Sequence, residues 1–385
     1  MDNTRASVSK QLPVFFCFFV MGFVDLVGIA TNYVKADFAL SDSLANLCPS
    51  MVFFWFLIGS VPTGILMNRL GRKRTVLLSI GVTTLALLIP LLAYSFASLM
   101  LSFALLGMGN TLMQVSLNPL IADIVSKDRL AGSLTFGQFV KAIASFIAPF
   151  IAAWGAMYYE NWRILFILFA VVGILSFFWL IFTEIKEQKY ETQNASFVAT
   201  LSLLKDPFIL LAFIGIMCHV GIDVGTNVTA PKLLIERLGI GLEEAGYVTS
   251  IYFLCRTAGC LTGSFLLNRI SDRKVFLFSV IVMLIALTGL LFADSVTWIH
   301  IFIGMIGLGN SNVFSVIFAY ALRNQPQKQN EVSGLMIMGL FGGTVFPLVM
   351  GFASDLYGQG AAVAVMLIGA IYLLLYFKQL KNLSK

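Results

Sequence analysis

Long apolar runs separated by short polar breaks follow one another along the whole chain. A helix needs roughly 20 apolar residues to cross the hydrocarbon core of a bilayer, and runs of about that length recur twelve times here. The pattern predicts an all-α membrane protein with twelve transmembrane helices. We place these spans at residues 12–34, 45–67, 75–94, 98–121, 134–157, 163–183, 208–231, 244–267, 275–293, 298–321, 332–354 and 360–377.

Composition excludes several other classes of protein. Of the 385 residues, 59% are hydrophobic and 11% are charged, whereas an ordinary soluble domain has about 25% charged residues. This excludes a soluble enzyme and a nucleic-acid binder, despite the net charge of +6. The five cysteines form no C-x-x-C pair, and no catalytic constellation or phosphate loop occurs. We therefore expect no metal, no cofactor and no enzymatic activity.

The distribution of Lys and Arg predicts the orientation. About nineteen of the 25 basic residues fall in one set of alternate loops and at the termini, which marks that side as cytoplasmic. We expect a multi-pass monomer in the cell (inner or plasma) membrane, with both termini in the cytoplasm. The longest polar stretch separates six spans from six. It predicts two bundles, over residues 1–190 and 207–385, joined by a cytoplasmic linker at 191–206.

The two halves repeat each other when they are set about 200 residues apart. The sequence GMGN at 107–110 recurs as GLGN at 307–310, and Asn-Arg at 68–69 recurs at 268–269. Asp25 in the first span matches Asp223 in the seventh. Parallel six-helix halves related by a pseudo-two-fold axis are the architecture of major facilitator transporters, which bind substrate near the membrane midplane.

The loop after the second span carries a resemblance to that superfamily. Residues 64–73 read GILMNRLGRK, which resembles the major facilitator signature G-x-x-x-D-R-x-G-R-K. The resemblance implies a gating loop that latches the cytoplasmic side, formed here by Gly64, Asn68, Arg69, Gly71 and Arg72. Asn68 departs from the signature because the family usually has Asp at this position.

Four charged residues lie roughly midway along their spans: Asp25, Lys141, Asp223 and Arg256. On insertion scales a central charge costs about 2.5–3.5 kcal/mol, so four that faced lipid would cost roughly 10 kcal/mol together. They must therefore face a polar cavity or each other. We predict the pairs Asp25–Lys141 and Asp223–Arg256. Their role is either a structural ion pair or the binding of substrate and a coupling ion, for which the two acids are candidates.

Uncharged polar residues accompany these charges at helical spacing. Amides and hydroxyls that both donate and accept hydrogen bonds suit a polyol, and side chains three or four residues apart share a helix face. With the two basic residues, the candidate substrate-binding set is Asn32, Gln114, Asn118, Gln138, Lys141, Asn227, Tyr252 and Arg256. Pro119, next to Asn118, predicts a break or kink in the fourth span.

A narrower resemblance rests on the fourth and fifth spans. Residues 106–119 (LGMGNTLMQVSLNP) and 134–138 (LTFGQ) resemble the fucose–galactose–glucose:proton symporter family. The resemblance implies uptake of a monosaccharide with protons or sodium. Gln114 stands where the family has a glutamate, and Asp25 lies about one turn before the family's aspartate position, which is Gly28 here. Lys141 replaces a neutral Asn.

These observations favour an ion-coupled symporter of a monosaccharide or sugar derivative that works by alternating access, with the bilayer and a proton or sodium ion as partners. Lys141 and Arg256 leave open an anionic sugar acid, such as a uronic or sialic acid. Proton-coupled efflux of a small metabolite or drug is the second reading within transport. A membrane receptor that does not transport is the alternative from another class.

Overall fold

The computed structural model describes residues 8–40, 47–185, 187, 197–240 and 242–381. All regular structure within these ranges is helical. The α-helices are Val8–Met21, Leu26–Asp37, Leu47–Leu70, Arg72–Leu92, Phe96–Ile124, Leu130–Tyr159, Ile164–Ile181, Phe197–Ser202, Pro207–Leu238, Leu242–Leu266, Asp272–Phe292, Val296–Asn310, Val313–Asn324, Gln329–Met338, Gly342–Tyr357 and Gln359–Tyr376. Short 3₁₀ turns lie at Gly22–Asp25, Lys127–Arg129, Leu203–Lys205, Gly339–Phe341 and Gln379–Lys381.

Each predicted span coincides with one of these helices or with a pair of consecutive helices. We number the spans 1 to 12 in chain order. Among the described residues, eleven helical stretches are long and apolar enough to cross a membrane. Span 8, at Leu242–Leu266, is long enough as well, but Arg256 and several Thr, Ser and Gly residues make it less apolar. Turns interrupt span 1 at Gly22–Asp25 and span 11 at Gly339–Phe341.

The chain divides into two compact units. The first comprises Met1–Lys127, Val140–Leu201 and Gln327–Met338, and the second comprises Asp128–Phe139, Ser202–Pro326 and Gly339–Lys385. Each unit therefore contains a twelve-residue segment from the other sequence half. These segments are the starts of span 11 and span 5, which occupy matching places in the repeat. Within the predicted linker, residues 191–196 lie outside the described ranges.

The repeated glycines make the same contact in each unit. A Cβ on Gly107 in span 4 would lie 2.5 Å from the backbone oxygen of Val52. A Cβ on Gly307 in span 10 would lie 2.5 Å from the backbone oxygen of Tyr252. Because both distances are far below van der Waals contact, glycine is required at each position for the two helices to approach this closely.

The repeated asparagines also make equivalent contacts. The Asn110 amide donates to the backbone oxygen of Met21 at 2.7 Å, which joins span 4 to span 1. The Asn310 amide donates to the backbone oxygen of His219 at 3.3 Å, which joins span 10 to span 7. Both side chains are buried, so each repeat fastens its first and fourth spans by an amide-to-backbone hydrogen bond.

Of the break or kink predicted at Asn118–Pro119, the break does not occur, because span 4 is one helix over Phe96–Ile124. Proline lacks an N–H, so Pro119 leaves the backbone oxygen of Val115, four residues earlier, without its helical donor. The hydroxyl of Ser333, at the start of span 11, donates to this oxygen at 2.6 Å. The carbonyl that proline frees therefore binds a side chain from another helix and does not line a cavity.

The loop between spans 2 and 3 has the backbone that its glycine predicts. Gly71 has φ of +86°, in the left-handed region that favours glycine, and the next residue begins the helix of span 3. The carboxylate of Glu187 accepts the N–H of Arg72 at 2.6 Å and of Lys73 at 3.0 Å. A carboxylate at a helix N-terminus satisfies free N–H groups and complements the helix dipole.

Arg72 is the centre of a buried polar network in the first unit. Its side chain is 2% exposed and lies 2.7 Å from the carboxylate of Asp123. It also donates to the backbone oxygen of Pro119 at 3.0 Å. Two further bonds reach the start of span 11, to Asn330 at 2.8 Å and to Gln329 at 3.1 Å. A single guanidinium thus joins spans 3, 4 and 11.

The structure explains why position 68 is an amide. Asn68 donates to the carboxylate of Glu331 at 2.7 Å and accepts from the side-chain amide of Asn330 at 2.7 Å. Glu331 is 5% exposed, so a second carboxylate at position 68 would place two acids side by side in a buried site. Gly64 allows the backbones to meet, since its Cβ would lie 2.6 Å from the Asn330 oxygen. Arg69 is exposed.

We expect Asn68→Asp to destabilise the protein by about 1–3 kcal/mol, because it removes the donor to Glu331 and adds a like charge. The measurement is the melting temperature of the purified protein in detergent. The matched control is the double variant Asn68→Asp/Glu331→Gln, which restores an acid–amide pair with the roles exchanged. A double variant that melts no higher than Asn68→Asp would contradict this account of the network.

Candidate functional site

The first unit contains the predicted pair Asp25–Lys141. The Lys141 ammonium lies 3.7 Å from the Asp25 carboxylate, and the Ser145 hydroxyl donates to the same carboxylate. Gly22 permits this geometry, because a Cβ there would lie 2.5 Å from the Lys141 backbone oxygen. The side chain of Lys141 is 21% exposed and that of Asp25 is 39% exposed, so the pair is accessible from outside the packed helices.

The second unit contains the other predicted pair, Asp223–Arg256. The guanidinium of Arg256 in span 8 lies 2.9 Å from one carboxylate oxygen of Asp223 in span 7. The hydroxyl of Tyr252, one turn before Arg256, donates to the other carboxylate oxygen. The side chains of Arg256 and Asp223 are 27% and 16% exposed. This pair is shorter than the pair in the first unit, and its acid is more deeply buried.

Both ion pairs compensate the four charges that the sequence places inside apolar spans. A charge inside an apolar helix bundle is costly unless an opposite charge and hydrogen bonds compensate it. Each acid has a basic partner and a hydroxyl donor. Each pair also keeps some exposed surface.

Span 4 carries a ladder of amides in the first unit. The Gln114 amide donates to Asn110 at 2.7 Å, and the Asn118 amide donates to the backbone oxygen of Gln114 at 2.8 Å. The side-chain oxygen of Asn118 is buried and has no hydrogen-bond partner among the described residues. Gln114 and Asn118 therefore lie together on one helix face, as their spacing predicts. The Asn118 side-chain oxygen is the acceptor that remains without a partner.

The remaining candidates are placed differently. Asn227 donates to the backbone oxygen of Asp223 at 2.8 Å, and its own side-chain oxygen has no partner within the described ranges. Gln138 is half-buried in span 5. The side chain of Asn32 lies outside the described residues. Tyr252, a candidate for substrate contact, has no exposed surface.

Three residues outside the predicted substrate-binding and ion-coupling sets also hold the site. Ser145 binds Asp25, and His219 and Asn310 bind each other at 2.8 Å beside Tyr252. The sequence does contain a signal for each of the last two: His219 lies four residues before Asp223, on the same helix face, and Asn310 lies in the repeated GLGN sequence. Neither signal reveals that the two side chains meet across 91 residues.

No cluster of three or more His, Cys, Asp and Glu residues suited to a metal occurs in the part of the chain that the structure describes. The groups gathered around the two acids are ion-pair partners, amides and hydroxyls. Such groups bind and orient polar solutes and cations.

The chain is similar in sequence to known transporters. A glucose/galactose transporter of Brucella abortus biovar 1 (strain 9-941) is 26% identical, over 93% of this chain and 91% of the relative. A hexuronate transporter of Bacillus subtilis (strain 168) is 23% identical, over 70% of this chain and 68% of the relative. This chain therefore resembles curated transporters along most of its length.

A solved structure shares the fold. The crystal structure of the E. coli fucose:proton symporter FucP superimposes with a TM-score of 0.83 and 17% identity, over 96% of this chain and 99% of that chain. The family model described as Major Facilitator Superfamily matches residues 14–336 and, in a second match, residues 213–383. With its helical fold, its repeat and its signature loop, the chain belongs to the Major Facilitator Superfamily.

Proposed function

We propose that this protein is an ion-coupled symporter that carries a monosaccharide or sugar derivative by alternating access. The observation that carries the proposal is the presence of two accessible ion pairs, Asp25–Lys141 and Asp223–Arg256, inside apolar spans. Packing alone does not require them, since apolar residues of similar volume serve as well or better. Ionisable groups inside membrane spans mark substrate and ion pathways.

The two acids are the proposed sites of the coupling cation, which is a proton or sodium. A cation that binds a carboxylate competes with the basic partner for the same oxygens. Loading Asp25 or Asp223 therefore releases Lys141 or Arg256, and a released basic side chain can bind the substrate. This exchange links cation binding to substrate binding without any covalent step.

The amides and basic residues form the proposed substrate site. Sugar hydroxyls both donate and accept, and amide side chains satisfy both roles. Asn118 and Asn227 each have a buried side-chain oxygen with no hydrogen-bond partner within the described residues. We propose that these oxygens accept sugar hydroxyls in a conformation that opens the site. Of the predicted set, the proposed substrate-binding residues are Asn32, Gln114, Asn118, Gln138, Lys141, Asn227 and Arg256, since Tyr252 has no exposed surface.

The basic residues also support a narrower proposal, that the substrate is a sugar acid. Lys141 and Arg256 are 21% and 27% exposed, and a carboxylate on the sugar would bind either of them. The B. subtilis relative, whose name is hexuronate transporter, supports this option, and the B. abortus relative supports a neutral hexose.

The distribution of Lys and Arg among the loops supports a proposed orientation. We propose that the protein resides as a monomer in the inner or plasma membrane, with both termini in the cytoplasm. The polar stretch at 191–206 is the proposed linker between halves 1–190 and 207–385.

Transport in proteoliposomes tests the proposed function directly. The purified protein is reconstituted and supplied with labelled glucose, galactose or glucuronate under an imposed proton or sodium gradient. We expect one sugar to accumulate above its external concentration with one of the two gradients. Absence of accumulation for every combination, together with efflux of apolar cations, would instead support the drug-efflux reading.

We expect Asp25→Asn to abolish gradient-driven accumulation while it spares counterflow of substrate down its own gradient. The amide keeps the shape of the carboxylate but removes the charge that binds the cation. The measurement compares accumulation and counterflow in the same vesicles. Asp355→Asn, at an exposed acid in span 11, is the control. Unchanged accumulation by Asp25→Asn would remove Asp25 from the coupling mechanism.

We expect Lys141→Ala to weaken binding of glucuronate by about tenfold or more and of glucose by less, because a charge-assisted hydrogen bond is lost with the acid alone. Competition by each sugar against labelled substrate gives the two affinities. Lys274→Ala, at an exposed lysine, controls for a general loss of charge. Equal losses for the two sugars would count against an anionic substrate.

A further inference from the structure

A chain of buried hydrogen bonds leads from His219 to the carboxylate of Asp223. The ring nitrogen Nδ1 of His219 lies 2.8 Å from the side-chain oxygen of Asn310. The Asn310 amide donates to the hydroxyl oxygen of Tyr252 at 3.2 Å, and that hydroxyl donates to Oδ1 of Asp223. The first three side chains are at most 2% exposed, so the chain connects a closed interior to an accessible acid.

The two oxygens of Asp223 are therefore held by different kinds of partner. Oδ1 accepts from Tyr252, which is fully buried and is held in turn by Asn310. Oδ2 lies 2.9 Å from Arg256, whose side chain is 27% exposed. One bond is held by a fully buried side chain, and the other joins a long side chain that keeps some exposed surface.

The internal repeat supplies a comparison within the same molecule. In the first half, buried apolar residues stand at the positions that match His219, Tyr252 and Arg256. These residues are Met21, Val52 and Phe56, which are at most 3% exposed. The asparagine and the glycine contacts are the same in both repeats.

This comparison separates packing from function. Spans 1, 2 and 4 pack through the shared contacts with no polar chain at the matching positions. Helix packing therefore does not require His219 and Tyr252 to be polar in the second half. Buried polar groups cost free energy unless they are satisfied, so their presence here calls for a role beyond packing.

We infer that Tyr252, Asn310 and His219 are positioning residues that hold Asp223 in place while its second oxygen exchanges Arg256 for the coupling cation. The inference rests on the proposed function and deepens it, since it assigns the cation to Oδ2 and the fixed bond to Oδ1. Tyr252 then acts through Asp223 and does not contact the sugar.

The physical reason is preorganisation. A carboxylate that loses its ion-pair partner is free to rotate, and ordering it again costs part of the binding energy. The Tyr252 hydroxyl prevents this rotation, because it keeps Oδ1 bound when Arg256 leaves. Charged and titratable groups that face Asp223 are Tyr252 and Arg256 from span 8 and His219 from its own helix, while span 10 contributes the neutral Asn310.

The test variant is Tyr252→Phe, which removes one hydroxyl and keeps the ring that packs in the core. The control is Tyr372→Phe, because the Tyr372 hydroxyl donates to the backbone oxygen of Leu211 in the same span as Asp223, at 2.8 Å. Both variants lose one partly buried hydrogen bond to span 7. Labelled glucose, galactose and glucuronate are the probes, in vesicles that give accumulation and counterflow from the same sample.

For Tyr252→Phe we expect accumulation to fall about tenfold or more, while counterflow stays within about twofold of wild type. Tyr372→Phe keeps the wild-type ratio of the two rates. A loss of folded protein lowers both rates together, so a purely structural role leaves the ratio unchanged. An unchanged ratio for Tyr252→Phe would overturn the inference.

His219→Met provides a second variant, which restores the residue found in the first repeat. We expect it to lower the accumulation-to-counterflow ratio in the same direction and by less, because it acts through Asn310. If the wild-type protein accumulates none of the sugars, the proposed function is wrong, and the inference that rests on it is wrong too. If the wild-type protein accumulates sugar and both variants show the same accumulation-to-counterflow ratio, only the inference is wrong.

Discussion

The compensation of charge inside apolar helices is the constraint on which the rest of the structure depends. Asp25, Lys141, Asp223 and Arg256 lie within spans, where each charge alone is costly. The chain meets this cost by pairing them across helices, span 1 with span 5 and span 7 with span 8. Both pairs compensate charge and remain partly exposed, which is why the proposed function assigns them the exchange of bonds with solutes.

The repeat shows how one scaffold supports two different sites. Gly107 and Gly307 allow the same close approach, and Asn110 and Asn310 fasten the same pair of spans. The polar groups placed on that scaffold differ. The first unit holds a long, exposed ion pair beside Ser145, and the second holds a short one backed by buried hydrogen bonds. A difference built on identical packing points to function.

The sequence was enough to predict the spans, the repeat and both ion pairs. Apolar run length fixes the spans, and the cost of burial forces four charges into pairs between neighbouring helices. Two contacts could not be predicted from the sequence. The bond of Ser333 to Val115 crosses 218 residues, so the expected break at Pro119 could not be rejected from local rules. Tyr252 is one aromatic residue in an apolar helix, and its bond to Asp223 has no signature in spacing.

Asn68 illustrates why a departure from a family pattern is a poor guide without its surroundings. From the sequence alone, the absence of the signature's Asp at position 68 puts in doubt the latch that the gating loop is expected to form. In the structure an acid is present in the same network, at Glu331, and Asn68 donates to it. Arg72 is already compensated by Asp123 at 2.7 Å, so the network needs neutral donors for Glu331 more than another negative charge. The amide at position 68 is thus what a carboxylate at position 331 requires.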